Sequence, residues 1–319
     1  MSDEIRTTSP GIVTLGGGNG QANLLRALSR LDCEIRAIVS MTDDGGCSGI
    51  LRETLGMPPP GDIRRCLCAL AQEPELAEYF ESRTPDGRSR GNLMMAELWS
   101  HSRNLQSVSD HMGRWLGVKG RVHPVSNSRC TIMARDWDGN IIEGERAVKQ
   151  SEIDPLSVWI DSFGVANPAA VRAILDADVV IFGPGCLVTS VLAAVLSPGI
   201  AEALEATRAR KVFVANVTLE SVASDAISAF SFVELLQQHL ERRNGKPVDG
   251  LISVIDAEFC LVKTEDWPIV LGPVSDGAQH DPDRLSQIVA DALDLKPARF
   301  LGPPGAQTSQ PDEEPTRYE

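Results

Sequence analysis

Aromatic side chains are scarce in these 319 residues: eight phenylalanines, five tryptophans and two tyrosines, 5% in all. So few rings serve poorly any ligand that needs a broad stacking platform. Basic runs are missing as well. No block of five or six Lys and Arg occurs, and 44 acids against 30 Lys and Arg give a formal net charge of −14. Such a chain repels phosphodiester backbones and anionic lipid, so no nucleic-acid partner is expected. No apolar stretch approaches the roughly 18 residues that span a bilayer, which argues against membrane insertion. The start, Met1 to Pro10, lacks the apolar core of a signal peptide. Cys33, Cys47, Cys66, Cys68, Cys130, Cys186 and Cys260 are an odd count without a Cys-x-x-Cys pair. Neither a zinc site nor a disulfide frame is implied, and reduced thiols in the cytoplasm fit better. His101, His111, His123, His239 and His280 show no paired ligand spacing. A histidine-bound metal or a Ser–His–Asp triad has nothing beneath it.

What is present is an ordinary globule's composition, 42% hydrophobic and 23% charged. Ile12-Val13-Thr14-Leu15 is strand-like and runs into Gly16-Gly17-Gly18-Asn19-Gly20. A helix follows with Leu24, Leu25, Leu28 and Leu31 on one face, then a second strand over Ile35–Val39. Strand, glycine turn, helix, strand is a βαβ unit, which implies parallel strands. Ile63, Cys66, Leu67 and Leu70 predict another helix. Short alternating runs between Arg121 and Gly144, with Asp138-Gly139-Asn140 between two of them, predict a small antiparallel insertion or edge. The βα rhythm then resumes with strands at Val179–Phe182 and Lys211–Ala215. Asp281-Pro282 opens a late helix with Leu285, Ile288, Val289 and Ala292 inward. The expected fold is therefore α/β: a doubly wound, mostly parallel Rossmann-like sheet with helices on both faces and a small antiparallel insertion. Residues 11–300 form one domain on this reading, with residues 1–10 and 301–319 disordered.

Ligands of such sheets sit beyond the carboxyl ends of the strands, which makes four turns candidates for one site. Glycines at Gly16, Gly17, Gly18 and Gly20, with Asn19 and Gln21, let backbone N–H groups approach an anion at a helix start. A tight turn without a ligand is the plainer reading. The pattern lacks the third glycine of a dinucleotide fingerprint and the Lys of a Walker motif. Asp43-Asp44-Gly45-Gly46-Cys47-Ser48 places two acids at a strand end, for a divalent ion, a ligand hydroxyl or a simple capped turn. Asp62 follows Pro58-Pro59-Pro60-Gly61 and reads equally as a helix cap. Arg64 and Arg65 sit in a first helical turn, where cations oppose the dipole, so one of them should meet an acid or a ligand. Gly183, Pro184, Gly185, Cys186, Thr189 and Ser190 form a second strand–turn–helix element suited to phosphate. Cys186 lacks a companion base and reads as a small space-filler.

Taken in order, these stretches resemble one superfamily, the gluconeogenesis factors (YvcK-like) together with the 2-phospho-L-lactate transferases (CofD-like). The matching residues are Gly16 to Gly20, Thr42 to Glu53, Pro59 to Leu67, Gly91-Asn92-Leu93, Gly183-Pro184-Gly185, Ala215-Asn216-Val217 and His280-Asp281-Pro282. Arg52-Glu53 and Pro59-Pro60-Gly61-Asp62-Ile63-Arg64 are similar to the gluconeogenesis-factor branch. The resemblance implies that the Gly16–Gln21 and Gly183–Ser190 turns face a nucleotide diphosphate. It adds Asn92 and Asn216 to the ligand contacts and makes Asp43 and Asp62 the metal or hydroxyl partners. No cofactor is fixed by this; magnesium is the candidate ion. Asn19, Gln21, Cys47, Cys186, Val188, Arg88 and Gln279 depart from the usual pattern, and they cluster at the same loops.

Two functions follow from the resemblance. One is a regulatory protein that binds a UDP-sugar and links carbon metabolism to cell-envelope synthesis. The other is a metal-dependent transferase using a nucleotide-diphosphate donor and a deazaflavin acceptor. No nucleophile or general base is visible in the sequence, which leaves catalytic residues unassigned and turnover open. A homodimer is also left open.

Overall fold

The first strand, β1 (Gly11–Gly16), is buried along its whole length, as a strand covered on both faces must be. It lies inside a parallel sheet in the computed structural model, which describes residues 9–162, 164–216, 235–236, 238–239, 252–255, 269–271 and 279–298. The expected disorder of the tail from 301, that of residues 1–8, and Cys260 fall outside the described residues. Ser9 and Pro10 are tied to the domain: Ser9 Oγ donates to Asp32 Oδ1, and Pro10 O accepts from the Glu34 amide.

In chain order the elements after β1 are α1 (Gly18–Leu28), β2 (Glu34–Val39), α2 (Gly46–Leu55), α3 (Gly61–Leu70), α4 (Pro74–Glu81), α5 (Arg90–Ser102) and α6 (Leu105–Trp115). Then come β3 (Arg121–Pro124), β4 (Cys130–Asp136), β5 (Ile141–Glu143), α7 (Glu145–Gln150), β6 (Ile153–Ser162), α8 (Pro168–Leu175) and β7 (Val179–Phe182). A π-helical turn (Leu187–Leu192) runs into α9 (Ala193–Val195), followed by α10 (Ile200–Ala206), β8 (Arg210–Val214), β9 (Ile252–Ile255), β10 (Ile269–Leu271) and α11 (Pro282–Leu293).

Among the described residues the main sheet has seven strands in the order β10-β9-β8-β7-β1-β2-β3, every pairing parallel. The chain winds outward from β1 to β3, then returns to the other side of β1 with β7. The β1–β7 boundary is thus the switch point, where such folds open a crevice. β4, β5 and β6 form the separate antiparallel sheet expected as an insertion. One boundary moves. The sequence expectation for Arg121–Gly144 is an antiparallel insertion or edge; β3 is indeed an edge strand, but it pairs with β2 in parallel at the end of the main sheet.

α1 buries Gln21, Ala22, Leu24, Leu25, Ala27 and Leu28 and packs on α3 and α11. Each buried leucine contributes about 2 kcal/mol of transfer free energy, so this face anchors the turn that precedes it. α11 is capped as its sequence predicts: Asp281 Oδ1 accepts from the amides of Asp283 and Arg284, with Pro282 in the first turn. His280 Nε2–H donates to the carbonyl of Ala215 at 2.9 Å, tying α11 to the end of β8. Arg52 fastens the insertion to the main domain through Cys130 O and Thr131 Oγ1, both at 2.6 Å.

Candidate functional site

The turns after β1 and β7 are in direct contact at the switch point. Their strands are in register, with Leu15 beside Phe182, and Gly183 N–H donates to Leu15 O at 3.0 Å. A methyl group at Gly20 would stand 2.5 Å from the carbonyl oxygen of Pro184, and one at Gly185 3.4 Å from Gly17 O. Ser190 Oγ lies beside the same turn, 3.7 Å from the Gly185 methyl position. Thr189 behaves differently: its hydroxyl is fully buried without a hydrogen-bond partner among the described residues.

Four helix starts border this crevice. α1 begins after Gly17, α2 after Gly45, α3 after Pro60 and the π-helical turn after Cys186, and none of these residues caps its helix with a side chain. α4 and α7 also start without such a cap, whereas α5, α6, α8 and α11 are capped by Ser89, Asn104, Asn167 and Asp281. Helix N-termini that converge concentrate positive potential, which suits an anion, and Asp62 already takes the Gly18 N–H of α1.

Asp62 does not cap its own helix as sequence reading allowed. It lies inside the first turn of α3, and its Oδ2 accepts Gly18 N–H across the crevice at 2.9 Å. Its Oδ1 accepts from Arg65. A methyl at Gly17 would stand 2.7 Å from Asp62 Oδ2, so glycine is what lets the carboxylate in. Burial pushes the Asp62 carboxyl above its usual range, and Arg65 and the Gly18 amide pull it back. Asp43 Oδ1 accepts Gly45 N–H at 3.0 Å, and its field also reaches Arg65 and Asp62. Ser48 Oγ and Asp43 Oδ2 close on Gly61. Asn19 and Gly46 stand exposed at the mouth.

Several expected ligand residues serve the fold instead. Gln21 is fully buried, and its Nε2 donates to Thr14 O, Thr14 Oγ1 and Ile38 O; α1 turns it inward. Arg64 and Asn92 are buried between α3, α4 and α5 and bond each other at 3.1 Å, with Glu81 beyond. Asp44 accepts Arg146 N–H at the start of α7, so it holds the insertion. Asn216 clamps Gly185 through both amide groups, donating to its carbonyl and accepting its N–H at 2.8 Å.

The insertion contributes residues that sequence reasoning missed. α7 packs against the π-helical turn and carries Glu145 and Lys149, which form an ion pair. Thr42 Oγ1 donates to Glu145 Oε2 at 3.3 Å. Burial drives the Glu145 carboxyl from its ordinary 4.5 up to about 7, Lys149 opposes this, and Asp43 and Asp62 add to it. An i,i+4 Glu–Lys spacing was the signal available, though it marks most often a solvated helix face. Between pH 4.5 and 7 the unfolded Glu145 is ionised while the folded one keeps its proton, so stability falls as pH rises through that window. Glu145→Gln, which imitates the protonated form, should remove this slope. We expect it to exceed the parent in stability at pH 8 by about 2 kcal/mol and to match it near pH 4.5, measured by urea unfolding at both pH values.

Magnesium is the ion expected at Asp43 and Asp62. Both oxygens of Asp62 and one of Asp43 already accept N–H groups, which leaves Asp43 Oδ2 as the pair's one uncommitted oxygen. Among the described residues no group of three or more His, Cys, Asp or Glu side chains could hold a metal ion. The residues as placed do not fit a protein-held metal; Arg65 stands where an ion would neutralise the acids.

A family model described as "2-phospho-L-lactate transferase CofD" matches residues 12–279. A putative gluconeogenesis factor of Thermotoga maritima is 35% identical over 306 residues, 87% of this chain and 98% of its own. The gluconeogenesis factor of Bacillus subtilis is 34% identical, covering 89% of this chain and 98% of its own. A crystal structure of a Bacillus halodurans protein superposes with a TM-score of 0.78 at 30% identity, over 88% of this chain and all of that one. With the glycine turns, the Asp43-Asp44-Gly45-Gly46 stretch and the switch-point crevice all in place, this chain belongs to the gluconeogenesis-factor family, within the superfamily it shares with 2-phospho-L-lactate transferase CofD.

Proposed function

We propose that the chain is a cytoplasmic regulatory protein that binds a nucleoside-diphosphate ligand, a UDP-sugar on the resemblance of its motifs, and links carbon metabolism to cell-envelope synthesis. One observation carries the reading: four helix starts meet around two glycine turns in contact at the switch point. Backbone N–H groups there suit a diphosphate, while Arg65 and Lys149 supply the nearby positive charge in an otherwise acidic chain. The exposed Asn19 at the mouth is within the same turn and suits a ligand hydroxyl. Isothermal titration with a panel of nucleoside diphosphates and UDP-sugars, including UDP-N-acetylglucosamine, tests it. The expected result is saturable binding of one ligand per chain, without added magnesium. Silence across the panel, with the protein shown folded, removes the reading.

A transferase is the second reading, favoured by Glu145. A buried carboxylate that titrates near 7 beside the crevice suits a general base. In that reaction an acceptor hydroxyl oxygen attacks phosphorus, the bond to the leaving nucleoside monophosphate breaks, and the hydroxyl proton passes to Glu145. Mass spectrometry for free nucleoside monophosphate, with a deazaflavin acceptor present, distinguishes the two. Release that stops in Glu145→Gln supports transfer; ligand recovered intact supports binding alone.

A further inference from the structure

The face of the main sheet at its β2–β3 edge is left open beside α8, and the groove there has a volume of about 770 Å³. Its walls are charged in an uneven way. Arg36 of β2 and Arg121 of β3 are register partners on one face, with the Arg36 guanidinium leaning over Gly11 of β1. Arg172 of α8 brings a third guanidinium to the same groove. Arg36 is paired with Glu34 at 2.9 Å, but among the described residues Arg121 and Arg172 make no ion pair or side-chain hydrogen bond. Glu34 and Asp176 are the acids lining the groove. His123 adds no charge to the balance. Its Nδ1 bonds Gln106 Oε1 at 3.0 Å, and burial, reinforced by Arg121 and Arg36 against the pull of Asp110, lowers its pKa to about 4.

A chain with a net charge of −14 thus gathers three arginines on one groove, two of them without an ion pair among the described residues. Guanidinium groups bind phosphate and carboxylate through paired N–H bonds, and a groove of several hundred Å³ accommodates a metabolite. We propose that this groove is a second ligand site, separate from the switch-point crevice, that takes a small multivalent oxyanion, a phosphate monoester or a polycarboxylate, through Arg36, Arg121 and Arg172. Bridging by the anion ties β2, β3 and α8 together, so occupancy stabilises the sheet edge.

The test is titration of the full chain with inorganic phosphate, a sugar monophosphate and citrate, read by calorimetry and thermal unfolding at matched ionic strength with chloride as control. At least one probe should bind saturably in the millimolar range or tighter and raise the unfolding temperature. Preference for the sugar monophosphate or for citrate assigns the ester or the polycarboxylate. Arg121→Ala with Arg172→Ala should weaken that binding about tenfold or more. Both side chains are exposed, so the double variant should unfold near the parent's temperature without probe. Gly20→Ala, which alters the crevice, should keep the probe affinity, and this separates the site from the nucleotide reading. The proposal is overturned by probe binding that survives undiminished in the double variant, or by no saturable binding of any probe to folded protein.

Discussion

Gly20→Ala should lower stability by about 1–3 kcal/mol and weaken nucleotide binding at least tenfold. Two effects of opposite sign meet at this position. Alanine inside the first turn of α1 gains about 1 kcal/mol of helix propensity over glycine. The added methyl, however, would stand 2.5 Å from Pro184 O, 2.8 Å from Pro184 C and 3.0 Å from Gly185 N. All three are backbone atoms, so no side chain can rotate away. Relief requires the β1 and β7 turns to move apart, at the overpacking cost of a few kcal/mol. The clash therefore wins. Urea unfolding gives the first quantity and titration with a UDP-sugar the second. A variant as stable as the parent would show that the turns have room between them, against the geometry.

The second large effect belongs to Asp62. Asp62→Ala removes the acceptor of Gly18 N–H and the carboxylate that faces Arg65. An abandoned, partly buried guanidinium and an orphaned amide cost about 2–4 kcal/mol together, a figure discounted because Arg65 remains a third exposed. Arg65→Ala in the Asp62→Ala background should recover part of the loss, because the cation is then no longer stranded. A double-mutant cycle measures that coupling. If the two single variants simply add, the pair is not an energetic unit and Asp62 serves the Gly18 turn alone.

Much of this was legible beforehand because it rests on local rules. Glycine-rich turns after short apolar runs, Pro282 in a first turn behind Asp281, and Asp138-Gly139-Asn140 between two strands each specify backbone geometry within a few residues. What stayed hidden depends on distance in the chain. β3 is a four-residue run, Arg-Val-His-Pro, whose alternation looks antiparallel. Its edge position, with one face left polar, explains that pattern. α2 was obscured by Gly46 and Gly49; the second of these is where the carbonyl of Asp44 packs too closely for any side chain. Arg64, Asn92, Asn216 and Gln21 lie in motifs matched to ligand contacts, yet their polar atoms are consumed inside the fold. A motif marks where polar groups are required without saying which of them face the crevice. Glu145 and Lys149 lie a hundred residues downstream of Thr42, and only the antiparallel insertion carries them to it.

Amide chemical shifts of the isotopically labelled chain, followed by NMR as a UDP-sugar is added, address the shared crevice most directly. Resonances from Gly16–Gly20 and from Gly183–Ser190 should move together along a single saturation curve. Movement of one turn without the other, or of neither while ligand is bound, would contradict a common diphosphate seat at the β1–β7 boundary.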